Sequence, residues 1–159
     1  MGAPPLQGES PSWKDFMTGG LPLPARALVN ALDSLVFKSD SEKLSDSLKG
    51  VGYTRPADTD AHHIVPVNAG KLDDVRAKLE SFGIGRNDAP NGVYLPGVRG
   101  SEAEGAYHRS LHNNDYYNQL NRDFLNVNSR QQALDTLNDI RSQLLNGTYP
   151  GSKPTPPKP

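Results

Sequence analysis

Apolar residues recur at helical spacing in several stretches of the chain. In "PARALVNALDSLVF" (24–37) they are Leu28, Leu32, Leu35 and Val36, with Pro24 at a first-turn position. In "SDSEKLSDSLKG" (39–50) Leu44 and Leu48 share a face, Ser or Asp near 39–41 can cap, and Gly50 can end the helix. "KLDDVRAKLESFG" (71–83) places Leu72, Val75, Leu79 and Phe82 on one side. A further helix is expected from about residue 102, because Ser101 and Glu104 stand at capping-box spacing. A last one is predicted over 129–146, with Leu134, Leu137, Ile140 and Leu144 on one face and Gly147 as its stop.

Two shorter apolar runs predict strands. "HHIVPV" (62–67) is β-branched, and Pro66 places it at a sheet edge. "VYLP" follows the Asn91-Gly92 turn signal and predicts a strand over 93–95. The connections at 51–60 and 83–100 are rich in turn formers. Residues 1–22 read as a loose leader carrying Trp13, Phe16 and Met17, and the Pro-rich stretch 151–159 as an extended, mobile tail. The fold class that results is α+β, a mostly helical single domain over residues 23–150.

Composition narrows the chemistry. The 159 residues are 35% hydrophobic and 22% charged, enough for a real core. There is no cysteine, which excludes disulfides, thiolate metal sites and a Cys nucleophile. No window approaches the ~18 consecutive apolar residues of a membrane span, so no membrane partner is expected. "MGAPPLQGES" has no charged segment followed by an apolar one, so no signal peptide is expected either. The net charge is −1 and the pI near 6.4, which argues against a broad electrostatic grip on nucleic acid. An enzyme that touches a few phosphates and borrows positive charge from a bound ion is still compatible with that balance.

All four histidines fall in two pairs, His62–His63 and His108–His112. On a helix, positions four apart share a face, so His108 and His112 can hold one ion. Adjacent strand residues point to opposite faces. One of His62 and His63, placed at the start of the expected strand, can therefore complete a three-imidazole ligand set. The other stays metal-free, with a pKa suited to taking a proton from water. Three protein ligands leave coordination positions open, as catalytic sites do. A closed structural site would need a carboxylate as well, with Asp60 and Asp115 the candidates.

The order of "AHHIVP", Asn91 within "NGVYLP", and "HRSLH" resembles the HNH, or ββα-metal, nucleases. The "AHH" triplet and "FGIGRNDAPNGVYLP" are similar to the AHH branch of that superfamily, whose members often form the C-terminal toxin domains of polymorphic bacterial toxins. The resemblance spans about residues 57–120 and implies a small ββα-metal (His-Me finger) core there. It implies His62, His108 and His112 as metal ligands and His63 as the general base that activates water. It also implies Asn91 as the residue that orients the base and braces the loop. Such sites often include an arginine on the phosphate, and Arg109, Arg55 and Arg86 are the candidates in that order.

The implied activity is metal-dependent endonucleolytic hydrolysis of phosphodiester bonds, expected on DNA. The alternatives are an RNase with the same site, or an inactive metal-containing binding module. One divalent ion is expected: three imidazoles favour Zn²⁺, Ni²⁺ or Cu²⁺ by softness, whereas Mg²⁺ or Mn²⁺ suits phosphodiester chemistry. The resemblance further implies an antibacterial effector delivered to the cytoplasm of a target cell, and a cognate immunity protein as partner. Plainer roles stand beside these. Asn-Gly favours turns by itself, and Tyr107, Tyr116 and Tyr117 suit core or rim positions as well as stacking on bases.

Overall fold

The computed structural model describes residues 38–159. The expected leader and the helix over 24–37 lie outside the described residues. Helix α1 (Asp40–Gly50) begins at Ser39, whose hydroxyl accepts from Glu42 N while the Glu42 carboxylate accepts from Ser39 N. This capping box satisfies two amide groups that a helix start leaves without partners. Strand β1 (Thr59–His63) pairs antiparallel with β2 (Gly92–Pro96), matching Ala61 with Tyr94, His62 with Val93 and His63 with Gly92. Between them lies α2 (Asp73–Ser81), entered through a 3-10 turn at Gly70–Leu72. A second 3-10 turn at Ala89–Asn91 leads into β2, a third at His108–Ser110 precedes α3 (Asn114–Phe124), and α4 (Arg130–Leu145) follows.

The two-stranded sheet divides the core. One face carries Ala61 and Tyr94 against Leu44 and Leu48 of α1, and the Tyr94 hydroxyl lies 2.9 Å from Ser45 Oγ. The other face, with Val93 and Leu95, joins the larger cluster built from α2, α3 and α4. Gly92 permits the close approach of α1. A Cβ there would stand 2.8 Å from Leu44 Cδ1 and 3.1 Å from Leu48 Cδ1.

Three expectations are corrected. The strand is "TDAHH" and not "HHIVPV", so the two histidines end it rather than start it. Beyond His63 the sheet ladder gives way to Asn91: Ile64 N donates to the Asn91 carbonyl and Val65 N to Asn91 Oδ1, both at 2.8 Å. Ile64 and Val65 are buried as loop, which shows that a buried β-branched run need not be strand. The helix expected from residue 102 begins only at Asn114, capped by Asn113 Oδ1 accepting from Tyr116 N. Residues 102–107 are pinned differently. Gly105 has φ +116°, Ala106 N donates to Leu144 O, and Tyr107 N donates to Lys153 O. That last bond also corrects the third expectation. The Pro-rich stretch 151–159 is tied down, because Lys153 and Pro156 accept from Tyr107 N and Gly100 N. Proline removes donors but leaves carbonyls free to accept.

Candidate functional site

The pleat sends the adjacent histidines to opposite faces. His62 shares its face with Val93 and turns toward the larger core, where it is buried. Its ring stands 4.9 Å from that of His108 and 6.3 Å from that of His112, and the latter two are 6.0 Å apart. His63 shares its face with Ala61 and turns toward α1. A cavity of about 250 Å³ opens onto all four, and Ser41, Asn68 and Tyr117 help to line it.

His108 and His112 do not share one α-helix face, contrary to the expectation from their i, i+4 spacing. His108 opens the 3-10 turn and His112 lies in the loop ahead of α3. They converge because that turn and the Asn113 cap fold the segment back over β1. His112 is exposed, so the cluster has an open side.

Each ring of the trio has an oxygen close to one of its nitrogens. His62 Nε2 lies 3.1 Å from the Tyr116 hydroxyl, which itself donates to Ile64 O at 2.7 Å. The hydroxyl proton being committed, His62 must donate from Nε2, which leaves Nδ1 as its bare lone pair. His108 Nδ1 is buried without a hydrogen-bond partner, 3.7 Å from Asp60 Oδ2. His112 Nδ1 is 3.4 Å from the Tyr117 hydroxyl. Burial, helped by the neighbouring imidazoles, pushes His62 well below its usual pKa. Burial also lowers His108, against the opposing pull of Asp60.

His63 has different surroundings. Its Nε2 is 2.8 Å from Asn87 Oδ1, and Asn87 Nδ2 donates to Asp40 Oδ1 at 2.9 Å. Burial lowers its pKa, opposed by the Asn87 hydrogen bond and the Asp40 charge. Asn91 makes no direct hydrogen bond to the His63 ring. Its side chain accepts from Val65 N and donates to Val65 O at 3.2 Å and Arg86 O at 2.9 Å. It braces the loop, and it acts on His63 only through the backbone that follows it. Contact with the imidazole belongs to Asn87, which reads in the sequence as one more turn former in "GRNDAPNG" and carries no signal of its own.

The arginine candidates separate. Arg55 is bound to Thr59 O and Asp60, and Arg86 lies 3.8 Å from Asp40 Oδ1. Arg109 is exposed, close enough to His108 to act on its charge, and has no hydrogen bond or ion pair among the described residues. Asp115 stands exposed in the first turn of α3, whereas Asp60 neighbours His108. Tyr116 is fully buried core, Tyr117 lines the cavity and Tyr107 is half-buried.

A family model described as AHH, a nuclease family of the HNH/ENDO VII superfamily with conserved AHH, matches residues 44–144. No curated protein and no solved structure matches the chain.

Proposed function

The chain belongs to the AHH nuclease family of the HNH/ENDO VII superfamily, and from that premise we propose a metal-dependent endonuclease built on a ββα-metal core that acts on DNA. The observation that carries this reading is the division of the "AHH" pair. One histidine, itself buried, joins two others in a trio with an open side, and its neighbour faces the same cavity with no part in that trio.

The residues suit an ion. Three imidazoles can supply lone pairs, and with the buried His108 Nδ1 standing 3.7 Å from the Asp60 carboxylate, its Nε2 is left for the ion. At Zn–N distances of about 2.0–2.1 Å, imidazole centroids around one tetrahedral ion stand roughly 5 Å apart. His62 and His108 already meet that spacing, while His112 lies about 1 Å further out. Accordingly, among the described residues no group of three or more His, Cys, Asp and Glu side chains is gathered as a ready-made ion site. We assign His62, His108 and His112 to the ion, with Tyr116, Asp60 and Tyr117 as partners of their second nitrogens, an arrangement that fixes tautomer and ring orientation. When bound, a divalent ion supplies Lewis-acid stabilisation of charge on the scissile phosphate.

The chain's own groups do the rest. His63, its Nε2 proton engaged by Asn87, presents Nδ1 as a base to a water molecule in the cavity. Arg109 is free to contact a phosphate oxygen. No described helix is long and apolar enough to cross a membrane. As the toxin domain of an antibacterial effector, a role that rests on the likeness to the AHH branch, the chain would act in the cytoplasm of a target cell. It would be held in check by a cognate immunity protein. Expression in a bacterial cytoplasm tests that role: wild type should stop growth and His63→Ala should not. Equal growth would remove it. Incubation of plasmid DNA and of RNA with each divalent ion in turn identifies the substrate, DNA being expected to be cut.

A further inference from the structure

The Asn87 side chain is held from both ends. Asp40 Oδ1 accepts from Asn87 Nδ2 at 2.9 Å, and Asn87 Oδ1 meets His63 Nε2 at 2.8 Å. An amide can turn over and exchange its oxygen and nitrogen, and its direction is read from its partners. Here one partner has no freedom. An ionised carboxylate only accepts, so the amide must give Asp40 its NH₂. The Asn87 hydrogen bond, with help from Arg86 and Lys43, holds the Asp40 carboxyl below its usual range and so keeps it ionised. The amide oxygen is then left to His63, and an oxygen in that place requires a proton on Nε2.

We propose that Asp40 is a positioning residue that sets the tautomer of His63 through Asn87. The inference rests on the reading of His63 as the base and adds what keeps it one. With the proton locked on Nε2, the bare lone pair is at Nδ1. Without Asp40 the amide is free to turn its NH₂ toward Nε2. That turn moves the imidazole proton to Nδ1 and hides the lone pair against Asn87. Asp40 lies at the start of α1, four residues before the segment matched by the nuclease family model. It is held there by the Ser39–Glu42 capping box, which does not involve its carboxylate.

The test is imidazole ¹⁵N NMR of the full chain at about pH 8, where neutral histidine tautomers are distinguished by their nitrogen shifts, paired with steady-state cleavage. Wild-type His63 should show the Nε2–H form. Asp40→Asn keeps the size of the side chain but can donate or accept. It should show less of the Nε2–H form and a kcat lowered in the same proportion, about tenfold where one ring in ten keeps that form, which stays below the ~10²–10⁴ a general base supplies. KM and metal affinity should not change. Asp40→Glu should recover the Nε2–H signature at least in part. An unchanged Nε2–H tautomer in Asp40→Asn would overturn the inference. If the tautomer shifts and kcat does not, Asp40 still controls the ring but His63 is not the base. If an Asp40 variant fails to fold, Asn87→Ala provides the second reading: the Nε2–H share of His63 should fall to that of an unconstrained neutral imidazole, and an unchanged share would overturn the inference.

Discussion

His62 and His63 are the same residue one position apart, and the pleat alone makes them different. One is buried among imidazoles and a tyrosine, and the other is held by an amide. His63→Ala should therefore lose about 10²–10⁴ in rate while binding metal as wild type does, as calorimetry can show. His62→Ala and His108→Ala should instead weaken metal binding, and normal affinity in His108→Ala would remove it from the ligand set. Asn91 belongs to the loop more than to the ring. Asn91→Ala orphans Val65 N and two carbonyls, and should lower stability to urea by at least about 1–3 kcal/mol. At this scale the histidines were legible, because four residues of one type in two short patterns stand out. Asn87 and Asp40 were not. A turn asparagine and a first-turn aspartate have sufficient local reasons to be present, and only the tertiary fold brings them to His63.

The elements were legible where periodicity is long. The helices over 71–83 and 129–146 match α2 and α4 closely, and the buried faces of α2 and α4 are those that spacing indicates, with Leu134 half-buried beside them. Short runs misled. "IVP" is buried and β-branched yet leaves the sheet, since the Asn91 side chain takes the amide that a partner strand would have taken. The segment after Ser101 has helical residues, but Gly105 and the bonds from Ala106 and Tyr107 hold it open until Asn113. The displaced helix start matters, because a 3-10 turn and a loop, rather than one helix face, bring His108 and His112 to His62. Packing of α1 on the sheet depends on Gly92. Gly92→Ala should cost roughly 1–3 kcal/mol by overpacking against Leu44 and Leu48. With Leu44→Ala added, the two costs should sum to more than the double mutant shows, and simple additivity would mean that the contact is not tight.

For the molecule as a whole, a net charge of −1 suits a nuclease that makes few contacts to its substrate. The slope of log affinity against log salt should then be small, about one for each of a few neutralised phosphates. Stability toward alkali has its own signature. Tyr149 is buried, donates to Asp123 Oδ2 at 2.7 Å and packs on Tyr116. Burial first, then the bond to Asp123 and the charge of that carboxylate, raise its pKa, against a small opposing pull from Arg122. The unfolded chain gives up this proton first. The stability it contributes is thus intact below the ordinary value of about 10 and lost as pH rises beyond it. Tyr149→Phe should be less stable at neutral pH but lose less between about pH 10 and 12, though Tyr116, raised by the same burial, keeps some of the slope. Equal slopes would contradict that account.

The most direct measurement is cleavage of plasmid DNA by protein stripped with EDTA and then given back Mg²⁺, Mn²⁺, Ni²⁺ or Zn²⁺ one at a time, with His63→Ala alongside. Cleavage should vanish with the chelator, return with at least one ion in the wild type, and stay about 10²–10⁴ slower in the variant. Cleavage that ignores EDTA, or that His63→Ala carries out at full rate, would contradict a metal held by one histidine of the pair and a base supplied by the other.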